Sequence, residues 1–372
     1  MITEITYNFL QNTPFEELLN PAQQFTVDLT VIIILIVFIS FLFIVSVIFA
    51  LITLVLRLKN YLKGRKWSNL EDRWHNDLLA VLSETEEPRV LLDKVKNEHK
   101  LYFLDYLFRF ALRIKGQELD TLTEIAKPFE DTLLKRLSEG DTTQKVRAVI
   151  TLDKLQLPVD KADFIQLLDD PSPLVSLYAA RAMIKQKYSD QKEVLEKIVA
   201  TLPRYQDWSY RLLSNILAQA GSQRAGFLRK KLLDKSLDKK TRVIIGESLI
   251  LLNNIKAANT AARVLQDYPD DDLAKTCLGI IANTGSPQHR PIVRTYLESS
   301  NPEIRGKAIQ TLGTIGTQED IPALKQAFND QSNWIAYQAA RALRQIKAED
   351  VLQKISDQEG DKTQIALQVL QS

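Results

Sequence analysis

Two kinds of hydrophobic pattern divide this chain. From Leu29 to Leu56 it runs for 28 residues without a charge, a glycine or a proline, and its only polar members are Thr30, Ser40, Ser46 and Thr53. A hydrocarbon layer about 30 Å thick takes roughly 20 helical residues to cross. The run is therefore long enough for one tilted pass and too short for two. Ser and Thr hydroxyls can bond back to carbonyls of their own helix, and lipid obliges every backbone group to pair within the segment, whatever the β-branched content. A cleaved signal peptide would have a basic start and a shorter apolar stretch. Here no Lys or Arg precedes the run, and the pattern predicts a retained membrane helix over 29–56.

Beyond residue 68 apolar residues recur every three or four positions between short polar breaks, which predicts amphipathic helices almost throughout. One unit also repeats. In its clearest copy Pro302 opens a helix where its missing N–H costs nothing, Ile304, Ala308 and Leu312 form one stripe, and Gly316 suits a left-handed C-cap. Ile321, Leu324 and Phe328 mark a second helix. The stripe returns as Ile335, Ala339 and Leu343 and, upstream, as Leu273, Cys277 and Ile281. Earlier copies start at Thr241, Trp208, Val175 and Val146, so that the steps are 29, 33, 33, 32, 31 and 31 residues. Such a step holds two helices of about 11–13 residues and two turns. The small residue in mid-stripe (Ala308, Ala339, Ala179, Cys277) lets neighbouring helices come close. A lone hairpin would leave its apolar face wet, whereas stacked hairpins bury it in one continuous core. The fold class expected is all-α: a single N-terminal transmembrane helix followed by an α-solenoid.

Over residues 140–372 these segments resemble HEAT repeats, in particular the short bacterial variety of the phycobilin-lyase-type HEAT-like proteins. The resemblance rests on Pro302, Ile304-Arg305, Ala308, Leu312 and Gly316. The copy at 241 departs from it by opening on Thr, and the copy at 208 lacks the small residue. The organisation expected is a short extracytoplasmic segment (1–28), the transmembrane helix (29–56) and a basic juxtamembrane linker (57–67). A helical cap or divergent repeats (68–140) and the HEAT-like solenoid (141–372) follow. Within 68–140, Phe103, Leu104, Tyr106, Leu107, Phe108 and Phe110 are apolar on several sides.

Charge orients the first of these parts. Arg57, Lys59, Lys63, Arg65 and Lys66 follow the apolar run, while only acids (Glu4, Glu16, Glu17, Asp28) precede it. The positive-inside rule then puts the N-terminus outside and residues 57–372 in the cytoplasm, on the inner face of the cell membrane. The basic stretch also meets anionic headgroups at about 1 kcal/mol per charge. With no small-xxx-small pattern and no ionisable residue inside, the helix reads as a plain anchor.

The net charge of +2 hides a basic zone: from Arg181 to Arg242 there are 15 Lys and Arg against 6 Asp and Glu. Arg224, Arg229, Lys230, Lys231, Lys235, Lys239, Lys240 and Arg242 fall on a second helix, the following turn and the next first helix. The resemblance implies that second helices line a concave face, which would turn Arg224, Arg229 and Lys231 into a groove. A solvated helix face is the plainer reading. The functional one is a docking patch for an acidic protein segment, for anionic lipid or for nucleic acid, the last least favoured because the domain is only mildly basic. Tyr205 is expected on the surface beside this patch, where aromatics favour binding, and Trp208 in the core.

Chemistry-bearing motifs are missing. There is no glycine-rich phosphate loop, no Gly-x-Ser-x-Gly and no His-Glu-x-x-His. His75, His99 and His289 are far apart, the single Cys277 excludes an intramolecular disulfide, and Asp270-Asp271-Asp272 reads as an acidic helix start. No catalytic, metal or cofactor residue is expected. The function this points to is a non-catalytic scaffold or regulatory subunit holding a partner protein at the membrane. Family analogy implies an envelope enzyme such as a glycosyltransferase as that partner. The alternative is a phycobilin-lyase-like enzyme or chaperone holding a chromophore or other small ligand, which would need a pocket.

Overall fold

In the computed structural model, residues 29–185, 192–205, 207–357, 360 and 362–372 are described, and they are helical almost throughout, with no strand among them. The segment read as 1–28 lies outside them. The chain divides into two compact units, Met1–Glu86 and Glu87–Ser372.

The first unit is dominated by α1 (Leu29–Leu82), 54 residues without a break. At 1.5 Å per residue it is about 80 Å long. Its apolar part has a window of mean hydropathy 3.3, none of which is buried. Such exposure is foreign to a core helix, and it leaves Thr53 to bond back to the Phe49 carbonyl (2.8 Å). The helix does not end with the apolar run: the basic stretch 57–67 is helical as well.

In the second unit helices alternate as the periodicity requires. After α2 (Pro88–Leu92), α3 (Lys100–Ala111), α4 (Gln117–Ala126) and α5 (Glu130–Glu139) come seven hairpins. Their first helices are α6 (Thr142–Lys154), α8 (Pro173–Lys185), α10 (Tyr210–Ala218), α12 (Lys239–Leu251), α14 (Asp271–Thr284), α16 (Pro302–Ile315) and α18 (Asn333–Gln345). The second helices are α7 (Lys161–Leu168), α9 (Lys192–Thr201), α11 (Ala225–Leu233), α13 (Ala257–Gln266), α15 (Arg290–Arg294), α17 (Ile321–Phe328) and α19 (Glu349–Ser356), and α20 (Thr363–Gln371) ends the stack. Consecutive first helices lie side by side, and most second helices fold back on the first helix of the next hairpin. α3 packs on α6, with Arg147 bonded to Asp105 at 2.8 Å.

The stripes are the core. Ile304, Ala308 and Leu312, Ile335, Ala339 and Leu343, and Leu273, Cys277 and Ile281 are all at most 1% exposed. First helices meet closely because glycines stand at the contacts. A Cβ on Gly246 would lie 2.4 Å from Thr276 Cγ2, and one on Gly313 would lie 3.1 Å from the Ala342 Cα. Polar stitches repeat at the spacing of the unit. Ser248 Oγ donates to the Ser214 carbonyl, Thr311 Oγ1 to that of Leu278 and Tyr296 OH to that of Leu265, over 34, 33 and 31 residues. The Tyr296 bond satisfies a hydroxyl that stacking would otherwise strand, whereas Ser248 and Thr311 also reach carbonyls of their own helices, Ile244 (2.7 Å) and Lys307 (2.8 Å).

Two local expectations are corrected. Gly316 is not left-handed (φ −71°, ψ 167°); its Cβ would sit 2.2 Å from the Leu312 carbonyl oxygen, so glycine is needed there for room. Left-handed residues do close other first helices, at Gln156, Asn253 and Lys347. Trp208 is not a stripe residue either. It precedes α10, which starts only at Tyr210, and it is half-buried with its ring edge-on to Tyr205 at 6.1 Å.

Candidate partner-binding site

The basic candidates separate once folded. On the second-helix layer, Arg229 donates to Asn254 Oδ1 (2.7 Å) and Lys231 pairs with Asp234 (3.6 Å) and lies over the Phe227 ring. Lys235 pairs with Asp267 at 3.0 Å, Arg242 donates to the Leu232 carbonyl at 3.0 Å, and Arg224 is half-buried. Much of this zone therefore ties one repeat to the next. Lys230 is exposed.

Tyr205 is corrected: it is 1% exposed, with its hydroxyl 2.5 Å from Ser176 Oγ. The ring fills the seam between α8 and the end of α9, because the 3-10 turn Leu202–Tyr205 directs it inward. It is not available to a partner.

A depression opens elsewhere, on the first-helix layer. A cleft of about 810 Å³ crosses α10, α12, α14 and α16. Its floor is a stripe of α12, Val243, Ile250 and Leu251, at i, i+7 and i+8, with Glu247 between. Tyr210, Arg211 and Ser214 of α10 form one wall, and Lys275, Thr276 and Gly279 of α14 the other. It continues past the helix starts into a depression of about 700 Å³ bordered by Lys239, Lys240 and Asp270–Asp272. Lys239 and Lys240 are thus the candidates that border this cleft, whereas Arg224, Arg229 and Lys231 do not line it. The reason is that α11 belongs to the other layer, whereas α12 faces the cleft along its whole length.

Charges around the cleft differ in their commitments. Asp270 caps α14 by accepting from the Leu273 N–H (3.3 Å) and lies 4.0 Å from Lys239. Asp271 accepts from Asn301 (2.6 Å), and Glu247 accepts from Thr276 (3.2 Å). Lys275 sits between Asp272 (3.4 Å) and Glu303 (2.8 Å), and its bond to Glu303 holds its pKa above the ordinary lysine value. Lys240 lies over the Tyr210 ring at 5.2 Å, an arrangement that attracts a cation without neutralising it. Lys307 leans across Gly279, its Nζ 3.9 Å from where a Cβ would stand. Sequence reasoning noted Tyr210 only as one of the aromatics, with Tyr205 and Trp208, that precede the basic patch, and passed over Arg211 and Lys307. Arg211 could have been noticed as the cation one residue after the aromatic cluster, but nothing local distinguishes Lys307.

Two further groups have structural duties. His289 bridges Asn259 Oδ1 (2.8 Å) and Ser286, and Cys277 is fully buried, which pushes its thiol up to about 12. No group of three or more His, Cys, Asp or Glu placed to hold a metal ion occurs among the described residues.

Stacked two-helix repeats with a continuous core define an α-solenoid. Within it, residues 262–344 match the family model described as HEAT repeats, which covers the hairpins from α13 to α18. No curated protein matches the chain. Among solved structures it is similar to a mutant of Kap121p at 15% identity, covering 74% of this chain and 36% of that one with a TM-score of 0.45. It is also similar to Kap121p bound to RanGTP (13%, 79% and 42%, 0.38) and to human deoxyhypusine hydroxylase in complex with glycerol (17%, 67% and 97%, 0.30). The chain thus spans little more than a third of the length of the Kap121p chains it matches.

Proposed function

We propose that this protein is a non-catalytic scaffold or regulatory subunit, anchored in the cell membrane by α1, whose solenoid binds a partner protein on the cytoplasmic side. The observation that carries the binding role is the first-helix cleft: an apolar stripe of α12 ringed by charge from the neighbouring first helices. Repeat stacks present such surfaces because each added hairpin lengthens them without remaking the core. Support for the anchor is the wholly exposed apolar part of α1, which water would penalise at about 25 cal/mol per Å² and lipid would not. Arg57, Lys59, Lys63, Arg65 and Lys66 follow it on one side and favour cytoplasmic placement of everything after them. In this reading 29–56 spans the bilayer, 57–67 meets its inner headgroups, and 68–140 is a helical cap or a set of divergent repeats. A tether also raises the local concentration of whatever the solenoid holds. An envelope enzyme such as a glycosyltransferase is the partner that family analogy favours.

Recovery from detergent-solubilised membranes tests the reading: the full chain should retain one membrane enzyme in fixed ratio. A bound chromophore with no protein partner would replace it by the lyase-like alternative. A reporter fused after Ser372 should be active in the cytoplasm, and activity outside would reverse the orientation.

A further inference from the structure

Resting on the scaffold reading, we infer that the first-helix cleft takes a short acidic and apolar segment of the partner, with carboxylates on Arg211, Lys240 and Lys307 and apolar side chains on Val243, Ile250 and Leu251.

The argument starts from which charges remain unspent. Counted over both depressions the lining is nearly balanced, Arg211, Lys239, Lys240, Lys275 and Lys307 against Glu247, Asp270, Asp271 and Asp272. Of the acids, Asp272 pairs with Lys275 and Asp270 caps α14 at 4.0 Å from Lys239, while Asp271 and Glu247 bond only the neutral Asn301 and Thr276 and keep their charge, which leaves two unpaired acids among the described residues. The cations are committed unequally. Lys275 is shared by two carboxylates and Lys239 stands 4.0 Å from Asp270, but Arg211, Lys240 and Lys307 have no carboxylate within salt-bridge distance among the described residues. Arg211 is exposed, Lys240 rests on the Tyr210 ring, and Lys307 bonds only the neutral Gln310 at 3.5 Å.

These three come from three different first helices, α10, α12 and α16, so the fold and not the sequence gathers them around one floor. Gly279 contributes the geometry. A Cβ there would crowd Ile250 Cδ1 (3.2 Å) and just touch the Lys307 Cε (3.6 Å), which places the Lys307 side chain across α14 beside the apolar stripe. Leu251 is 51% exposed on that stripe, and Tyr210 is 38% exposed at its other end. From Lys240 to Leu251 the floor is about 16 Å long, which fits about three helical turns or about five extended residues. An apolar strip between fixed cations selects a ligand carrying both features, as helix-in-groove recognition does. A headgroup layer offers the charge but has no side chains to reach a recessed floor, which favours a protein segment over a membrane surface.

The test uses the full chain in phosphatidylcholine nanodiscs. The probe is a dye-labelled peptide of about twelve residues in which Glu alternates with Leu and Phe at helical spacing. A counterpart carrying Lys for Glu, and vesicles of phosphatidylcholine with phosphatidylglycerol, are the comparisons. Fluorescence anisotropy should show binding of the acidic peptide, weakened about tenfold or more by Arg211→Glu with Lys307→Glu and weakened by salt. Arg211→Gln with Lys307→Gln should give a smaller loss of the same sign, and Lys230→Glu on the other layer should change nothing. Far-UV circular dichroism checks that each variant is folded. Equal binding of the Lys peptide, or an equal loss with Lys230→Glu, would overturn the inference. If the cleft variants lose vesicle association and keep the peptide, the cations belong to lipid. A native partner recovered equally by the double charge reversal removes this site and leaves the scaffold standing. Failure to recover any partner removes the scaffold, whatever the peptide does.

Discussion

Replacing Asp320 by Asn should destabilise the solenoid by about 3 kcal/mol. The carboxylate is wholly buried at the start of α17, where it accepts from the Thr317 N–H (2.8 Å), from Arg294 Nε (2.7 Å) and from Arg290 Nη1 (3.2 Å). Both arginines belong to the preceding second helix, so one side chain joins α15 to α17. Asn keeps the volume but loses the charge and turns an amide N–H₂ toward groups that are all donors. Breaking a buried pair costs about 3–5 kcal/mol. The lower end applies because Arg294, 37% exposed, can turn to water. At roughly 2–4 °C per kcal/mol for a domain of comparable size, the midpoint of thermal unfolding should fall by roughly 6–12 °C. Circular dichroism gives the melt, and hydrogen exchange should show the loss concentrated in 290–328, because repeat stacks pass strain mainly to neighbours. Burial alone would raise the Asp320 pKa, but the Thr317 N–H and the two guanidiniums outweigh it and hold it below the usual carboxylate range. Its contribution is therefore complete above the unfolded value near ~3.9 and fades as pH falls through the lower folded value. The variant should lack that part of the acid limb. A melt within about one degree of the parent's, at neutral pH, would refute the reasoning.

Three further outcomes follow from the packing. Thr241 is 1% exposed with its hydroxyl unpartnered, so Thr241→Val should raise the denaturant midpoint by about 1 kcal/mol equivalent at unchanged slope; a loss would mean a bonded hydroxyl. Cys277, whose burial pushes the thiol up to about 12, should resist iodoacetamide in the native chain and react only on unfolding, and fast native labelling would contradict the packing of α14. Gly313→Leu should cost about 1–3 kcal/mol in chemical denaturation, since the added atoms run into Ala342 on α18; no change would show that the two helices part freely.

Much of this architecture was legible in the sequence, and the reasons are local. A period of three to four residues declares which side of a helix is apolar, and the return of the Ile304-Ala308-Leu312 stripe declares where the next hairpin begins. The 28 uncharged residues from Leu29 likewise require an environment for apolar surface that the helix cannot supply for itself. Cap chemistry was less secure. Gly316 carried a residue type that serves two purposes, and only the position of the Leu312 oxygen shows which one it meets.

What the tertiary structure decided was the fate of groups whose partners lie a repeat away. Lys235 reads as a free cation until Asp267 stands 3.0 Å from it, and Tyr205 reads as a surface aromatic until Ser176 takes its hydroxyl. Arg211, Lys240 and Lys307 are ordinary surface cations in sequence and become one site because three first helices turn them onto the same stripe. Periodicity is a property of one helix and is written in its own residues. A cleft is a property of the distances between helices about thirty residues apart, which the side chains at their contacts set jointly, and no single stretch of sequence contains that information.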